Sequence, residues 1–246
     1  MIPRYGHGLG STFLADVLSR HQHDALRDKR ARLLDHPLWQ GLSDGRTSLG
    51  QLRTFAVQDA WLIREIHRLD GLAIAKAPDP ASADYLIAKL TPKQGALASV
   101  QAFGLAIGLE PDQLVDPVPL AGCAALTTQF YYHLVRSSFA EAIACIGASE
   151  TIFLEICGRI EQPLRDHYGL SDDDIRFFSA HDALEPAERR MNELIGRLVA
   201  DSPDPDTARA AVFAAVSLCY DAEQLFYDTV WQCPDAHRTA ALGAYG

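Results

Sequence analysis

Residues 36–62 read HPLWQGLSDGRTSLGQLRTFAVQDAWL. His36-Pro37 stops whatever helix precedes it, because proline cannot continue a helix and restricts the residue before it. LWQGLSDGRTS follows as a loop with two glycines, and Ser48 stands where a serine caps a new helix. From there Leu52, Phe55, Leu62, Ile63 and Ile66 recur at helical spacing and define one apolar face. Asp59 falls in the middle of that face. A helix turns about 100° per residue, so an acid at that register points into the interior.

Two further helices repeat the anomaly. Glu150 shares a face with Phe139, Ile143, Ile146, Phe153, Leu154 and Cys157. Glu223 shares one with Val212, Val216, Cys219, Phe226, Tyr227 and Val230. Burying an unpaired carboxylate costs several kcal/mol or forces its pKa upward. Three such acids on three helices predict a shared interior pocket that wants a cation, a metal or a protonated nitrogen. Taken singly, each reads equally well as a structural strut bonded to a tyrosine or histidine.

The rest of the chain reads as helix throughout. The periodicity predicts helices over about 11–35, 48–77, 82–107 with a kink at Pro92, 121–166 with weak points at Gly147 and Pro163, 172–200 with a kink at Pro186, and 206–231. Alternating strand patterns and hairpin dipeptides are missing. So are phosphate-binding glycine loops and a GxSxG elbow. The expectation is a single all-α domain over 11–246, a bundle of seven to eight helices, with 1–10 as a flexible N-terminus.

The 246 residues are 48% hydrophobic and carry a formal net charge of -10. That suits a globular protein and disfavours nucleic acid and anionic membranes as partners. No apolar run approaches the ~20 residues of a membrane helix, and the first residues lack the order of a signal peptide. The expected location is the cytoplasm. The five cysteines include no CxxC pair and lie mostly on apolar faces, so buried free thiols are expected.

A second candidate cluster is His181, Glu185 and Glu188, within about 60° of one another on a helix, with Pro186 between them. A histidine and carboxylates on one face, joined by Glu150, suit one iron or manganese ion. The competing reading is an exposed charged face beside Arg189 and Arg190.

These segments carry a family resemblance. HPLWQGLSDGRTSLGQLRTFAVQDAWL resembles the opening of the TenA/THI-4 family, and SSFAEAIACIGASETIFLEICGRI (137–160) resembles its central helix. FFSAHDALEPAERR (177–190) is similar to the signature of the heme-oxygenase-like oxidases, which include CADD; PqqC shares the fold. The likeness spans roughly 32–231 and implies the heme-oxygenase-like fold, with pairing into a homodimer. In TenA-like enzymes the Gln-Asp acid and a late-helix glutamate hold an aminopyrimidine, which implies those roles for Asp59 and Glu223, the latter in an EQLFY context with Tyr227. The nucleophilic cysteine of that family falls at Ser149. In the oxidase branch the central-helix glutamate and the histidine run imply metal ligands at Glu150, His181 and Glu185, with Glu188 in place of a histidine. The third-helix ligands are missing from YLIAKLTPKQGALASV (85–100); Lys93 and Gln94 stand there instead, so Lys93 is an alternative source of positive charge.

Three functions follow as expectations. The first, preferred on the His181 motif, is an oxidoreductase acting on a small nitrogen-containing metabolite, with one non-heme ion and no heme or nucleotide. Asp59 and Glu223 would hold the cationic nitrogen, with Ser149, Lys93 and Tyr227 contacting the substrate. The second is a metal-free hydrolase or lyase of the TenA type, in which Asp59, Glu150 and Glu223 are acid–base groups and anchors. The third is a lapsed relative that binds a small molecule or a partner.

Overall fold

The computed structural model describes residues 24–179, 185–234 and 236. Within these, ten α-helices and one 3-10 turn (Pro111–Leu114) occur, with no strand. The helices are α1 (Asp24–Leu34), α2 (Pro37–Ser43), α3 (Leu49–Lys76), α4 (Pro80–Lys93), α5 (Ala96–Ala106), α6 (Ala121–Arg136), α7 (Phe139–Tyr168), α8 (Arg176–Ser179), α9 (Glu185–Ala200) and α10 (Pro205–Gln232). The all-helical expectation holds. None of the described helices is long and apolar enough to cross a membrane.

Local chemistry sets the boundaries. Ser48 and Gln51 form a reciprocal cap on α3: Ser48 Oγ accepts from the Gln51 N–H at 3.2 Å, and Gln51 Oε1 accepts from the Ser48 N–H at 2.9 Å. Ser138 and Glu141 repeat the device, which divides the expected 121–166 helix in two. Gly147 and Pro163 do not interrupt α7. Gly147 instead makes room for Met191 of α9, whose side chain a Cβ there would strike. The expected 82–107 helix breaks after Lys93, at Gly95, whose φ of 89° suits glycine. The expected loop after Pro37 folds as α2, because Pro37 suits a first helical turn and His36 Nδ1 caps it by accepting from the Leu38 N–H at 3.1 Å.

Three long helices meet at the centre. α10 packs on α6 and α7, and α3 packs on α5 and α6. Their shared interior is aromatic: Phe55 lies 5.3 Å from Trp39 and 6.1 Å from Phe153, ring centre to ring centre, and Trp39 stands edge-on to Tyr227 at 5.0 Å. The apolar faces read from sequence are the faces buried: Leu52, Phe55, Val216, Cys219 and Val230 are fully enclosed. Cys123, Cys145, Cys157 and Cys219 are buried, and all five cysteines are free.

The α6–α10 contact depends on one small residue. A Cβ on Gly122 would press on the Leu225 carbonyl of α10, a backbone atom that cannot swing aside. Gly122→Ala is expected to cost about 1–3 kcal/mol, read as a lower urea midpoint with an unchanged m-value.

Candidate active site

Four helices deliver the polar groups of one cavity of about 100 Å³. α3 supplies Asp59, α7 supplies Ser149 and Glu150, α10 supplies Glu223 and Tyr227, and α4 supplies Lys93. Phe153, Phe177, Phe226 and Ile63 form much of the apolar wall. The volume approaches that of the roughly 150 Å³ cavities that accept a benzene ring, so the site suits a single small ring. The floor is deep: Asp59 is 5% exposed, Glu223 3% and Tyr227 0%. His67, two turns along α3 from Asp59, lines the cavity and is exposed, which puts the mouth at that end.

At the floor Glu223 accepts two hydrogen bonds, from the Ser149 hydroxyl and from the Tyr227 hydroxyl, the latter at 2.6 Å. Burial pushes the Glu223 carboxyl up to about 7, against the opposing pull of those two donors. Asp59 has less help. Its Oδ2 is buried with no hydrogen-bond partner. Burial, and then the charge of Glu223, push its carboxyl up to about 8. No cation pairs with either acid among the described residues. The charge of Glu223 thus bears on Asp59 across the floor of the cavity.

Glu150 behaves differently. Burial pushes its carboxyl up, but the ammonium groups of Lys89 and Lys93 outweigh this and hold it down to about 2. Lys89 bonds one carboxylate oxygen, and Lys93 Nζ lies 2.7 Å from the other. Lys93 also donates to Asp70, at 2.9 and 3.2 Å. Two of the three acids read from sequence therefore share the cavity with no cation on either among the described residues, and the third lines the same cavity already neutralised. The expectation that all three await one positive partner is corrected on this point.

Of the expected metal ligands, His181 lies outside the described residues, as do the side chains of Glu185 and Glu188. Among the described residues no group of three or more histidine, cysteine or acidic side chains is placed to hold an ion. Glu150 does not fit as a ligand in this arrangement, since an ion on it would sit beside two ammonium groups. Lys93, the alternative source of positive charge, pairs with both Glu150 and Asp70.

Sequence reasoning missed Lys89 and Asp70. The signal was present: Lys89 and Lys93 are four residues apart on a helix whose Leu86 is buried. The test that exposed the acids, a charge at core register, finds these lysines too. Asp70 sits eleven residues beyond Asp59, on the same side of α3.

Comparison with known proteins decides the family. The sequence profile of the TENA/THI-4/PQQC family matches residues 23–232. The chain belongs to that family. A TenA homologue from Pseudomonas syringae superposes with a TM-score of 0.76 at 15% identity, covering 90% of this chain and 93% of the homologue. A TenA homologue from Pyrococcus furiosus gives 0.73 at 13% identity, covering 89% and 100%. A domain of unknown function with a heme oxygenase-like fold from Shewanella denitrificans gives 0.69 at 15% identity, covering 93% and 100%. No curated protein sequence matches the chain. At such identities the structural likeness establishes the heme-oxygenase-like fold and leaves the chemistry to the site.

Proposed function

We propose that the protein is a metal-independent enzyme of the TenA type. It acts on a small aromatic nitrogen ring of the aminopyrimidine class, hydrolysing or eliminating at a bond to a ring substituent. The observation that carries this reading is the unpartnered Oδ2 of Asp59, buried beside Glu223 at the floor of an aromatic cavity. Such an atom is costly unless a ligand completes it. A ring nitrogen with an adjacent amino group supplies both a proton acceptor and a donor. Protonated Asp59 can pass its proton to the ring nitrogen and keep a charge-assisted hydrogen bond. Phe153, Phe177 and Phe226 enclose the ring.

Glu223, with a carboxyl near 7, is poised to take and return a proton at working pH. Ser149 hands its hydroxyl proton to that carboxylate in a hydrogen bond, so Glu223 is in place to orient or activate the serine oxygen. Tyr227 fixes the other carboxylate oxygen. The oxidoreductase reading rested on His181 with Glu150 as a ligand, and the pairing of Glu150 with two lysines moves the balance to metal-free chemistry.

The test is aminopyrimidine release from a panel of thiamine-like and aminopyrimidine compounds, with metal content measured on the same sample. Turnover by metal-free protein, reduced at least a hundredfold in Asp59→Asn, is expected. No binding or release anywhere in the panel would overturn the proposal. Ser149→Ala gives a second check. Removing a donor to the charged form of Glu223 raises its carboxyl further, so the acid limb of the rate profile is expected to move to higher pH.

A further inference from the structure

Helix α6 reads AGCAALTTQFYYHLVR and carries no acid, lysine or arginine before Arg136. Its inner side is accounted for: Cys123, Leu126, Phe130 and Leu134 are buried where α6 packs on α3, α7 and α10. A surface helix ordinarily turns charged residues to water on its other side, and one that is apolar all round is buried all round. Here the other side is Ala121, Ala125, Thr128, Tyr132 and Val135, spaced alternately four and three residues apart. That is the spacing of a seam shared by two helices. Yet in the single chain Tyr132 is 52% exposed and Val135 61%.

The face continues onto α10. The start of α6 lies against the end of α10, where Gly122 meets the Leu225 carbonyl, and the two helices pack along their length. They therefore run antiparallel, and Leu218, two turns before Leu225, falls between the levels of Thr128 and Tyr132. Leu218 and Leu225 are 44% and 46% exposed. The acid between them on this side of α10, Asp221, is held by Lys29 at 2.6 Å. An exposed apolar face this continuous marks a site of association. The length of α6 is about 24 Å and two helices side by side span about 20 Å, so the face is roughly 500 Å² on each copy. Two such faces together reach about 1,000 Å², the size at which specific interfaces begin.

We infer that two copies of this chain pair through the outer face of α6 and α10, about a two-fold axis. Charge selects a second copy as the occupant. A chain with a formal net charge of -10 repels its own copies over most of its surface. They can meet at a face that shows no unpaired acid, and an apolar face that matches itself is what a two-fold interface requires. A charged partner of another kind would be met by opposite charge, which this face does not offer before Arg136. The inner side of α10 carries Glu223 and Tyr227, so pairing supports from behind the helix that holds the floor of the cavity.

Sedimentation equilibrium of the full chain over a dilution series tests this. Wild type is expected at twice 26.9 kDa, or an even multiple of it. Tyr132→Glu and Leu218→Glu each bury a charge in the pair, and each is expected to raise its dissociation constant at least about a hundredfold and so lower the mass to half or less. Both side chains are exposed in the single chain, so the circular dichroism of each variant is expected to match wild type, and either variant suffices if the other fails to fold. Ile87→Glu, at an exposed apolar residue of α4, is expected to leave the mass unchanged. A wild type at 26.9 kDa throughout overturns the inference. Lower urea midpoints for both variants would then assign the face to another segment of the same chain, and unchanged midpoints to a different protein. A wild-type pair that both variants leave intact overturns it as well, since the chain then pairs through another face.

Discussion

Asp59→Asn is expected to stabilise the free protein at pH 8 while removing its ability to bind the nitrogen ring. The sign follows from linkage. The Asp59 carboxyl ordinarily titrates near 3.8 and is pushed up to about 8 in the folded chain, first by burial and then by Glu223. The fold thus prefers the protonated form. That preference contributes fully below about pH 4 and is lost as pH rises through about 8. Each unit of displacement corresponds to about 1.4 kcal/mol, so several kcal/mol is the ceiling, and water entering the cavity lowers it to a few. Glu223, raised from 4.5 to about 7, adds a loss of the same sign in the same window. Urea melts at pH 5 and pH 8 check this. Wild type is expected to weaken between the two, and Asp59→Asn to weaken much less. A variant weaker than wild type at both would show that Asp59 is an ordinary structural strut. A destabilising residue kept at the floor of a pocket is what a function-for-stability exchange looks like.

Glu150→Ala is expected to do the opposite, costing about 3–5 kcal/mol by leaving Lys89 and Lys93 without their shared carboxylate. Its carboxyl, although pushed up by burial, is held down at about 2 by those two ammonium groups. Its contribution is therefore present above about pH 4.5 and lost as pH falls through about 2. Urea midpoints for wild type and the variant at pH 7 supply the comparison. Replacing Lys89 by methionine in the Glu150→Ala background is expected to recover part of the loss, because it removes the stranded charge while Lys93 keeps Asp70. A loss below about 1 kcal/mol would mean that the cluster is open to water and contributes little.

Much of the fold was legible in sequence because its signals are local. The helical spacing about Asp59, Glu150 and Glu223 gave both the buried faces and the acids upon them. Ser48 marked the start of α3, while α10 starts at Pro205 against the expected 206, where Asp204 Oδ1 accepts from the Thr207 N–H at 3.1 Å. Boundaries were lost where two signals competed. Gly147 and Pro163 look like breaks, yet the packing of α7 on α9 and α10 carries the helix through them, whereas Ser138 and Glu141, a cap inside an apparently continuous run, divide it. At the site, Asp59, Glu223 and Tyr227 converge as their registers implied, and Ser149, placed there only by the family resemblance, joins them. The partner of Glu150 was not legible from its own helix, because Lys89 lies 61 residues away in sequence. Only the register of α4, read for buried cations as α3 was read for buried acids, would have exposed it.

The central claim is that two carboxyls from α3 and α10 lie together in the protein interior with no cation between them among the described residues. Carbon-13 NMR titration of the side-chain carboxyls, with Asp59 and Glu223 assigned through Asp59→Asn and Glu223→Gln, tests it most directly. The account predicts that both titrate well above the ordinary carboxylate range, near pH 7 to 8, and that Glu223→Gln lowers the midpoint of Asp59. Midpoints near 4 for both, independent of one another, would contradict it.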